Sequence, residues 1–280
     1  MAANRPKAAA FFDLDKTIIA GSSALAFSRP LLREGLITRR AALRSSYAQL
    51  SLLFNGADEA TTERIRRSAA AICAGWEVEQ VRAIVAETLH EVVEPLVYAE
   101  AAELVAAHRA HGDEVVVLSA SGLEVVEPIA ELLGATRCAA SRMVVQDGRY
   151  TGEIEYYLYG AAKAEEARRV AAEGGYRLED CVAYSDSITD LPLLEAVGHP
   201  VVVNPDRALR KVAEERGWPV LTFAAPVRLR TRLQPAPALA GVVVGIAALL
   251  LAGLVLRRRP SAFSRVGGSP RTQSPNDYDS

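Results

Sequence analysis

Residues 8–17 of the chain read AAAFFDLDKT. The apolar residues at 8–12 form an unbroken run, as in a strand that is covered on both faces within a parallel sheet. Asp13 and Asp15 follow this run, and because side chains alternate along a strand with a period of two, both can project toward the same face. The stretch therefore predicts a buried strand with two carboxylates at its carboxyl end.

Three further apolar runs predict strands of the same kind, at residues 114–118, 181–184 and 200–203. Each run ends in a polar motif: SASG from Ser119, SDSITD from Ser185 and NPD from Asn204. Strands that alternate with helices are typical of a parallel sheet, and the carboxyl ends of parallel strands share one edge. We therefore expect an α/β fold with a Rossmann-like parallel sheet, on which the four motifs converge in one crevice.

An insert of helical character separates the first two strands, and we place it at residues 22–94. Apolar residues recur with helical spacing in four segments, at 24–34, 38–54, 59–74 and 78–93. A connection of this length exceeds an ordinary crossover, so we expect a helical cap over the crevice and a core of residues 1–21 and 95–225. Within the core, Asp147-Gly148 between two extended runs predicts a β-hairpin.

The composition excludes several classes of protein. The chain has 280 residues, of which 50% are hydrophobic and 24% charged, and its formal net charge is -2. Such a chain is not built to neutralise nucleic acid, so we expect no nucleic-acid partner. The three cysteines, Cys73, Cys138 and Cys181, lie far apart and indicate core thiols in a reducing compartment, not a disulfide framework or a zinc site.

Residues 238–256 contain no charged or strongly polar side chain. As a helix they would extend about 28 Å, close to the hydrocarbon core of about 30 Å. We predict a single transmembrane helix; the alternative is a buried, alanine-rich helix of the globular domain. Gly241 and Gly245 form a G-x-x-x-G pair, which would favour a weak homodimer unless the pair is a chance feature of a Gly/Ala-rich span.

The segments around this helix predict how the chain is arranged. Two prolines favour a linker over 226–237, and the Ser-, Pro- and Gly-rich residues 257–280 predict a disordered tail. The basic N-terminus is followed by only a five-residue apolar run, which is too short for a signal peptide. We therefore expect a single-pass protein of the cell membrane with its N-terminal domain in the cytoplasm.

The pair Asp13 and Asp15 has the chemistry of a catalytic dyad. Of two carboxylates placed together, one can attack an electrophile while the other transfers protons. The concentrated negative charge also favours a hard cation with oxygen ligands, such as Mg²⁺. The alternative is an Asx turn or a helix cap that follows the strand.

Ser119 and Lys163 are candidates for holding an anionic group. Ser119 offers a hydroxyl and is followed by small residues at a helix start, where backbone N–H groups bind phosphate, although it could serve as a simple N-cap. Lys163 lies at a strand-to-helix junction and supplies a compact positive charge. Its alternative is a solvated lysine that pairs with Glu165 or Glu166.

Asp186 and Asp190 follow the strand at 181–184. Asp186 could complete a cation site with Asp13 and Asp15, while Asp190 could orient the water shell of the metal or Lys163. The alternative is that both aspartates cap the helix that begins near residue 191.

The order F-F-D-L-D-K-T, V-V-V-L-S-A-S-G, Lys163 and Y-S-D-S-I-T-D resembles the four motifs of the haloacid dehalogenase (HAD) superfamily of phosphatases. The helical insert looks like the small cap of the subfamily that includes phosphoserine phosphatases. The runs V-N-P-D-R-A-L-R and G-W-P-V look like the actinobacterial hydrolases of subfamily IB. The resemblance covers residues 8–222.

The resemblance implies an enzyme that hydrolyses a phosphate monoester. Asp13 would be the nucleophile that forms an aspartyl-phosphate, and Asp15 would act first as the general acid and then as the base. Thr17 would support this geometry. Ser119 and the backbone at Ala120 would hold the phosphoryl oxygens together with the lysine of the third motif.

The resemblance also implies a Mg²⁺ site. Asp13, the main-chain carbonyl of Asp15 and Asp186 would be its ligands, with Asp190 beside them.

The substrate is the part that the resemblance specifies least. Phosphoserine phosphatases usually carry a Glu shortly after the first motif, whereas residues 18–23 here read IIAGSS, which disfavours a free amino acid. The predicted membrane helix hints at a lipid-derived monoester. The alternatives are a phosphoserine phosphatase proper, a phosphotransferase to an acceptor alcohol, and a non-catalytic, membrane-attached regulator that binds phospho-ligands.

Overall fold

A computed structural model describes residues 8–37, 67 and 70–224 of the chain. The predicted linker at 226–237, the predicted transmembrane helix at 238–256 and the predicted tail at 257–280 lie outside the described residues. So do the helix predicted at 38–54 and much of the one predicted at 59–74. None of the helices in the described ranges combines the length and the apolar character needed to cross a membrane.

The described residues form a seven-stranded sheet in the order β4-β3-β2-β1-β5-β6-β7. All neighbours in it are parallel except the antiparallel pair β3 and β4. The strands are β1 (Ala9–Asp13), β2 (Glu114–Gly122), β3 (Arg137–Gln146), β4 (Arg149–Tyr156), β5 (Val182–Ser185), β6 (His199–Val203) and β7 (Val220–Leu221). The predicted α/β class with a Rossmann-like parallel sheet is confirmed.

Strand β1 lies between β2 and β5, and all five of its residues are buried. Its register pairs Asp13 with Leu118 on β2, and Phe12 with Tyr184 on β5. Ser119 therefore comes one residue after the partner of Asp13, and Ser185 one residue after the partner of Phe12. This register brings the first, second and fourth motifs to the same edge of the sheet.

Two hydrophobic clusters cover the two faces of the sheet, as the period of two along β1 requires. Ala10 and Phe12 belong to one cluster, and Ala9 and Phe11 to the other. Both phenylalanines are almost wholly buried. A strand covered on both faces explains why the first motif is preceded by an uninterrupted apolar run.

Eight α-helices lie wholly within the described ranges, and residues 67 and 70–72 are also helical. The eight helices are α1 (Ser23–Ala26), α2 (Ser28–Arg33), α3 (Val78–Val93), α4 (Ala99–His111), α5 (Leu123–Leu133), α6 (Ala161–Gly174), α7 (Leu191–Ala196) and α8 (Arg207–Arg216). Helix α3 has the bounds that the sequence predicts and packs against α5 of the core.

The single helix predicted at 24–34 is divided into α1 and α2, so that prediction is wrong in detail. The division follows from Pro30, whose ring would clash with the carbonyl of Ala26 four residues earlier in a continuous helix. Helix α2 instead starts afresh at Ser28, which places Pro30 in its first turn, where a missing N–H costs nothing.

The predicted hairpin is confirmed. Asp147 and Gly148 have φ angles of 50° and 74°, the left-handed pair that a two-residue turn between right-twisted strands requires. The parallel pairing of residues 137–141 with β2 was not predicted, because the stretch RCAAS has no apolar run or alternation that marks a strand.

Candidate active site

Asp13 lies at the carboxyl end of β1, with 6% of its surface exposed. Its Oδ1 accepts a hydrogen bond of 2.6 Å from Nζ of Lys163, and its Oδ2 accepts one of 3.3 Å from Oγ1 of Thr17. Thr17 is itself buried, and its hydroxyl lies 3.5 Å from Oδ1 of Asp186. The first and fourth motifs therefore meet at the threonine hydroxyl.

Lys163 is in the first turn of α6, with 3% of its surface exposed. Besides the bond to Asp13, its Nζ donates to Oδ2 of Asp190 at 2.7 Å. The alternative of a solvated lysine paired with Glu165 or Glu166 is therefore wrong. Burial acts to lower the pKa of Lys163, but the two carboxylates outweigh it and hold the pKa above its ordinary value.

The acidic residues of the site are crowded in a medium that disfavours charge. Burial raises the pKa of Asp13 to about 8 against the attraction of Lys163, and the carboxylates of Asp190, Asp186 and Asp15 contribute in the same direction. Burial likewise raises the pKa of Asp186 to about 7, although Lys16 counteracts it. One lysine ammonium does not compensate the carboxylates gathered here, so the site favours an additional cation.

The oxygen donors present fit Mg²⁺. Asp13 and Asp186 offer buried carboxylates that approach the same hydroxyl, and Mg²⁺ is commonly bound by one or two carboxylates while it retains water. Three or more His, Cys, Asp or Glu side chains are nowhere gathered into a metal cage within the described residues. The resemblance of the motifs to the haloacid dehalogenase superfamily implies the main-chain carbonyl of Asp15 as a further protein ligand.

The side chain of Asp190 is hydrogen-bonded to Lys163. Its Oδ2 accepts from Lys163 and from Oγ of Ser185 at 2.7 Å, and the residue is 1% exposed. Its Oδ1 is buried with no hydrogen-bond partner among the described residues. Asp190 is the N-cap residue of α7, yet its side chain makes no capping bond. The capping alternative is therefore wrong for Asp190, and its contacts favour orientation of Lys163 over direct metal ligation.

The Asp15 side chain does not join this cluster through hydrogen bonds. Its Oδ1 accepts from the backbone N–H of Ser23 at 2.7 Å, and its Oδ2 accepts from Oγ of Ser121 at 3.0 Å. A local Asx turn would use an N–H two residues along the chain, so that alternative is wrong for Asp15. Both oxygens of its side chain are thus held by serines and not by Lys163.

Ser119 follows the register partner of Asp13 and has 1% of its surface exposed. Its Oγ accepts from the backbone N–H of Ser121 at 3.1 Å. Helix α5 begins at Leu123 after an N-cap at Gly122, so the alternative of Ser119 as a simple N-cap is wrong. Ala120 lies between these residues on β2, half-buried at the same edge of the sheet.

Asp206, of the NPD motif, forms hydrogen bonds with the backbone of the fourth motif. Its Oδ2 accepts from the N–H of Ile188 at 2.8 Å, and its Oδ1 from that of Leu209 at 2.8 Å. Its own N–H donates to the carbonyl of Asp186 at 2.8 Å. Asp206 thus ties the loop that carries Asp186 and Asp190 to the start of α8.

Ser23, Ser121 and Asp206 have no assigned role in the sequence-based prediction, although all three contact site residues or their loops. Asp206 carried a signal, since an N-P-D run after a strand is typical of a turn followed by a helix cap. The two serines carried no such signal. Ser121 lies 106 residues from its partner Asp15, and Ser23 belongs to a different element from Asp15.

The α/β fold thus brings the four motifs together around the Asp13 carboxylate. The sequence model of haloacid dehalogenase-like hydrolases matches residues 10–195 of the chain. The chain belongs to this family, and the family prediction made from the motifs is confirmed.

Two relatives and one solved structure illustrate the similarity. The chain is 60% identical over 251 residues to the probable phosphatase Rv3661 of Mycobacterium tuberculosis, with 88% of this chain and 87% of the relative covered. It is 35% identical to the phosphoserine phosphatase SerB1 of the same organism, with 90% and 81% covered. A structure of a phospho-aspartyl intermediate analogue of phosphoserine phosphatase superposes with a TM-score of 0.60 at 20% identity, with 80% and 97% covered.

At 20% sequence identity, the similarity to that solved structure shows only that the two proteins share a fold. The family match and the relatives establish more: the chain is an enzyme, a phosphatase of this family, as predicted. The non-catalytic alternative is therefore set aside.

Proposed function

We propose that the chain hydrolyses a phosphate monoester with the aid of Mg²⁺ through an aspartyl-phosphate on Asp13. The observation that carries this proposal is the buried Asp13 carboxylate, which Lys163 contacts at 2.6 Å and beside which Asp15 is held by two other partners. A carboxylate that is both oriented and close to a cation can approach an anionic phosphoryl group. Asp15 remains separate from that contact and is available for proton transfer.

The first half of the reaction transfers the phosphoryl group. Lys163, Ser119 and the backbone at Ala120 bind the phosphoryl oxygens. A carboxylate oxygen of Asp13 forms the new bond to phosphorus as the bond to the leaving oxygen breaks, and protonated Asp15 gives its proton to that oxygen. Bound Mg²⁺ would supply positive charge that offsets the negative charge of the phosphoryl group and the carboxylates.

The second half restores the enzyme. Asp15, now ionised, accepts a proton from a water molecule as that water attacks phosphorus. The bond between phosphorus and Asp13 breaks, and inorganic phosphate is released. A single carboxylate thus serves as the acid in one half and the base in the other.

Release of phosphate from p-nitrophenyl phosphate tests the proposal. We expect activity in Mg²⁺ that is abolished by a chelator and restored by added Mg²⁺. The Asp13→Asn variant should lose at least about a thousandfold in kcat/KM, because the amide cannot act as the nucleophile. Asp147→Asn is the matched control, since Asp147 lies in the exposed hairpin turn, where Asn tolerates the same positive φ. Equal rates for wild type and Asp13→Asn would overturn the proposal.

Phosphoserine is the second candidate substrate, because a relative at 35% identity is named a phosphoserine phosphatase. Residues 18–23 hold no carboxylate for its ammonium group, and we therefore favour a monoester without one. A panel that contains phosphoserine, other phosphorylated metabolites and a lysophosphatidic acid separates these substrates. New esters formed when alcohols are added would indicate a phosphotransferase.

We also propose that residues 238–256 span the cell membrane once and leave the catalytic domain in the cytoplasm. The uninterrupted apolar composition of the segment supports this proposal, and a lipid-derived monoester would be accessible to an enzyme held there. The full chain should remain in the membrane fraction after an alkaline wash, whereas a chain that ends at residue 225 should be released. Recovery of the full chain in the soluble fraction would contradict it.

A further inference from the structure

We propose that the hydroxyl groups of Ser121 and Ser23 position Asp15 for proton transfer to the leaving group. The inference rests on the proposed function, in which Asp15 is the general acid and base. It assigns Ser121 as the principal positioning residue and Ser23 as its support.

The three residues form a closed set of hydrogen bonds. Oγ of Ser121 donates to Oδ2 of Asp15 at 3.0 Å, and the N–H of Ser23 donates to Oδ1 at 2.7 Å. The two serine Oγ atoms lie 2.7 Å apart. Ser23 is fully buried and begins α1 of the insert, whereas Ser121 belongs to β2 of the core. Both oxygens of the carboxylate are therefore fixed from two different parts of the fold.

A general acid needs this restraint. The terminal torsion of an aspartate is broad, so an unrestrained carboxyl group samples many orientations. Efficient transfer requires that the oxygen bearing the proton lies within hydrogen-bond reach of the leaving oxygen. In the step itself the O–H bond of Asp15 breaks, its proton passes to the leaving oxygen, and the P–O bond breaks.

The serine pair is compatible with both protonation states of Asp15. Each carboxylate oxygen has two lone pairs and uses one of them here, so a site remains for the proton. A serine hydroxyl has one hydrogen, so while Ser121 donates to Asp15, Ser23 is the donor in the contact between their two Oγ atoms. The pair can thus stay bonded while Asp15 changes from acid to base.

The Ser121 hydroxyl is not needed to hold its own backbone. The N–H of Ser121 already donates to Oγ of Ser119, and α5 begins at Leu123 with Gly122 as its N-cap. Removal of the hydroxyl should therefore affect the orientation of Asp15 more than the local fold.

Leaving-group dependence tests the inference. Phenyl phosphate has a more basic leaving group than p-nitrophenyl phosphate, so its cleavage depends more on protonation of the leaving oxygen. We expect Ser121→Ala to lower kcat/KM for phenyl phosphate by about tenfold and for p-nitrophenyl phosphate by no more than about twofold. A general structural defect would lower both equally. kcat/KM is the useful parameter because it reports the steps through departure of the leaving group.

Two further variants complete the experiment. Ser23→Ala keeps the backbone N–H bond to Asp15 and should give a smaller loss with the same selectivity, which tests the inference even if Ser121→Ala does not fold. Ser28→Ala is the matched control, because its hydroxyl donates to the carbonyl of Leu25 in the same insert, and the ratio of the two substrates should not change.

Three outcomes decide the matter. A selective loss on phenyl phosphate supports the inference. Equal losses on both esters, or none, in variants of an active wild type would overturn the inference alone. A wild type that is inactive toward both esters would overturn the proposed function and the inference with it.

Discussion

Lys163 and Asp13 are 150 residues apart in the chain, yet the Nζ atom of the lysine lies 2.6 Å from Oδ1 of the aspartate. The same Nζ contacts Asp190 at 2.7 Å, so one buried ammonium serves two buried carboxylates. Such an arrangement is costly to disrupt, because each partner left alone would be an unpaired charge in the interior.

Lys163→Met should therefore destabilise the fold as well as abolish phosphatase activity. We expect a loss of about 3–5 kcal/mol in the free energy of unfolding near pH 8. The loss should be smaller near pH 5, because the raised pKa of Asp13 lets that carboxyl become neutral there. Urea denaturation at both pH values measures it. Lys211→Met, at an exposed lysine, is the control, and equal stability of the two variants would contradict the prediction.

Asp206→Ala should weaken Mg²⁺ binding without touching the ion. The variant loses the bond to Ile188, which holds the loop of Asp186 and Asp190, and the capping bond to Leu209 of α8, so the half-saturating Mg²⁺ concentration should rise about tenfold. The free energy of unfolding should fall by about 1–3 kcal/mol. A Mg²⁺ titration of activity and calorimetric binding provide independent measurements. Asp206→Asn retains one acceptor and should be intermediate; an unchanged Mg²⁺ response in Asp206→Ala would count against this role.

Asp113 should contribute stability that depends on pH. Burial acts to raise its pKa, but hydrogen bonds from His108 and His111, both at 2.9 Å, outweigh burial and hold the pKa below its ordinary value. A carboxyl with a lowered folded-state pKa stabilises fully above its unfolded pKa and loses this effect as the pH falls through its folded pKa.

Asp113→Asn should accordingly be less stable than wild type by about 1–2 kcal/mol at pH 7. The difference should shrink as the pH falls below about 4, the unfolded pKa of an aspartate. Urea denaturation across this range checks the prediction, with Asp147→Asn as the control. A difference that grows on acidification would mean that the sign is wrong.

Gly198→Ala should be destabilising for steric reasons. A Cβ atom at this position would lie 1.8 Å from the carbonyl oxygen of Glu179, a backbone atom that cannot move alone. We expect a loss of about 1–3 kcal/mol, typical of overpacking. Gly21→Ala is the matched control, because a Cβ there meets nothing within 4 Å. Comparable melting temperatures for Gly198→Ala and wild type would refute the prediction.

The α/β architecture and the placement of the motifs could be predicted from the sequence, because both follow from local patterns. The apolar run before Asp13 required a strand covered on both faces, and parallel strands necessarily align their carboxyl ends. The four motifs could therefore be assigned to one edge of the sheet before any distance was known. The hairpin at Asp147-Gly148 and the bounds of α3 were likewise encoded in a turn signal and in helical spacing.

The partner of each polar group depended on contacts between distant segments. Nothing near Lys163 in the chain indicates that it contacts Asp13, and its neighbours Glu165 and Glu166 offered a local alternative. For Asp190, the sequence left open whether it would orient Lys163 or the water shell of a metal. The hydrogen bond between Ser121 and Asp15 likewise joins residues that are 106 positions apart, and no local pattern indicates it. A residue's type and spacing show which chemistry it can perform, whereas the packing of the strands and helices selects its hydrogen-bond partner, because burial makes an unmet polar group costly.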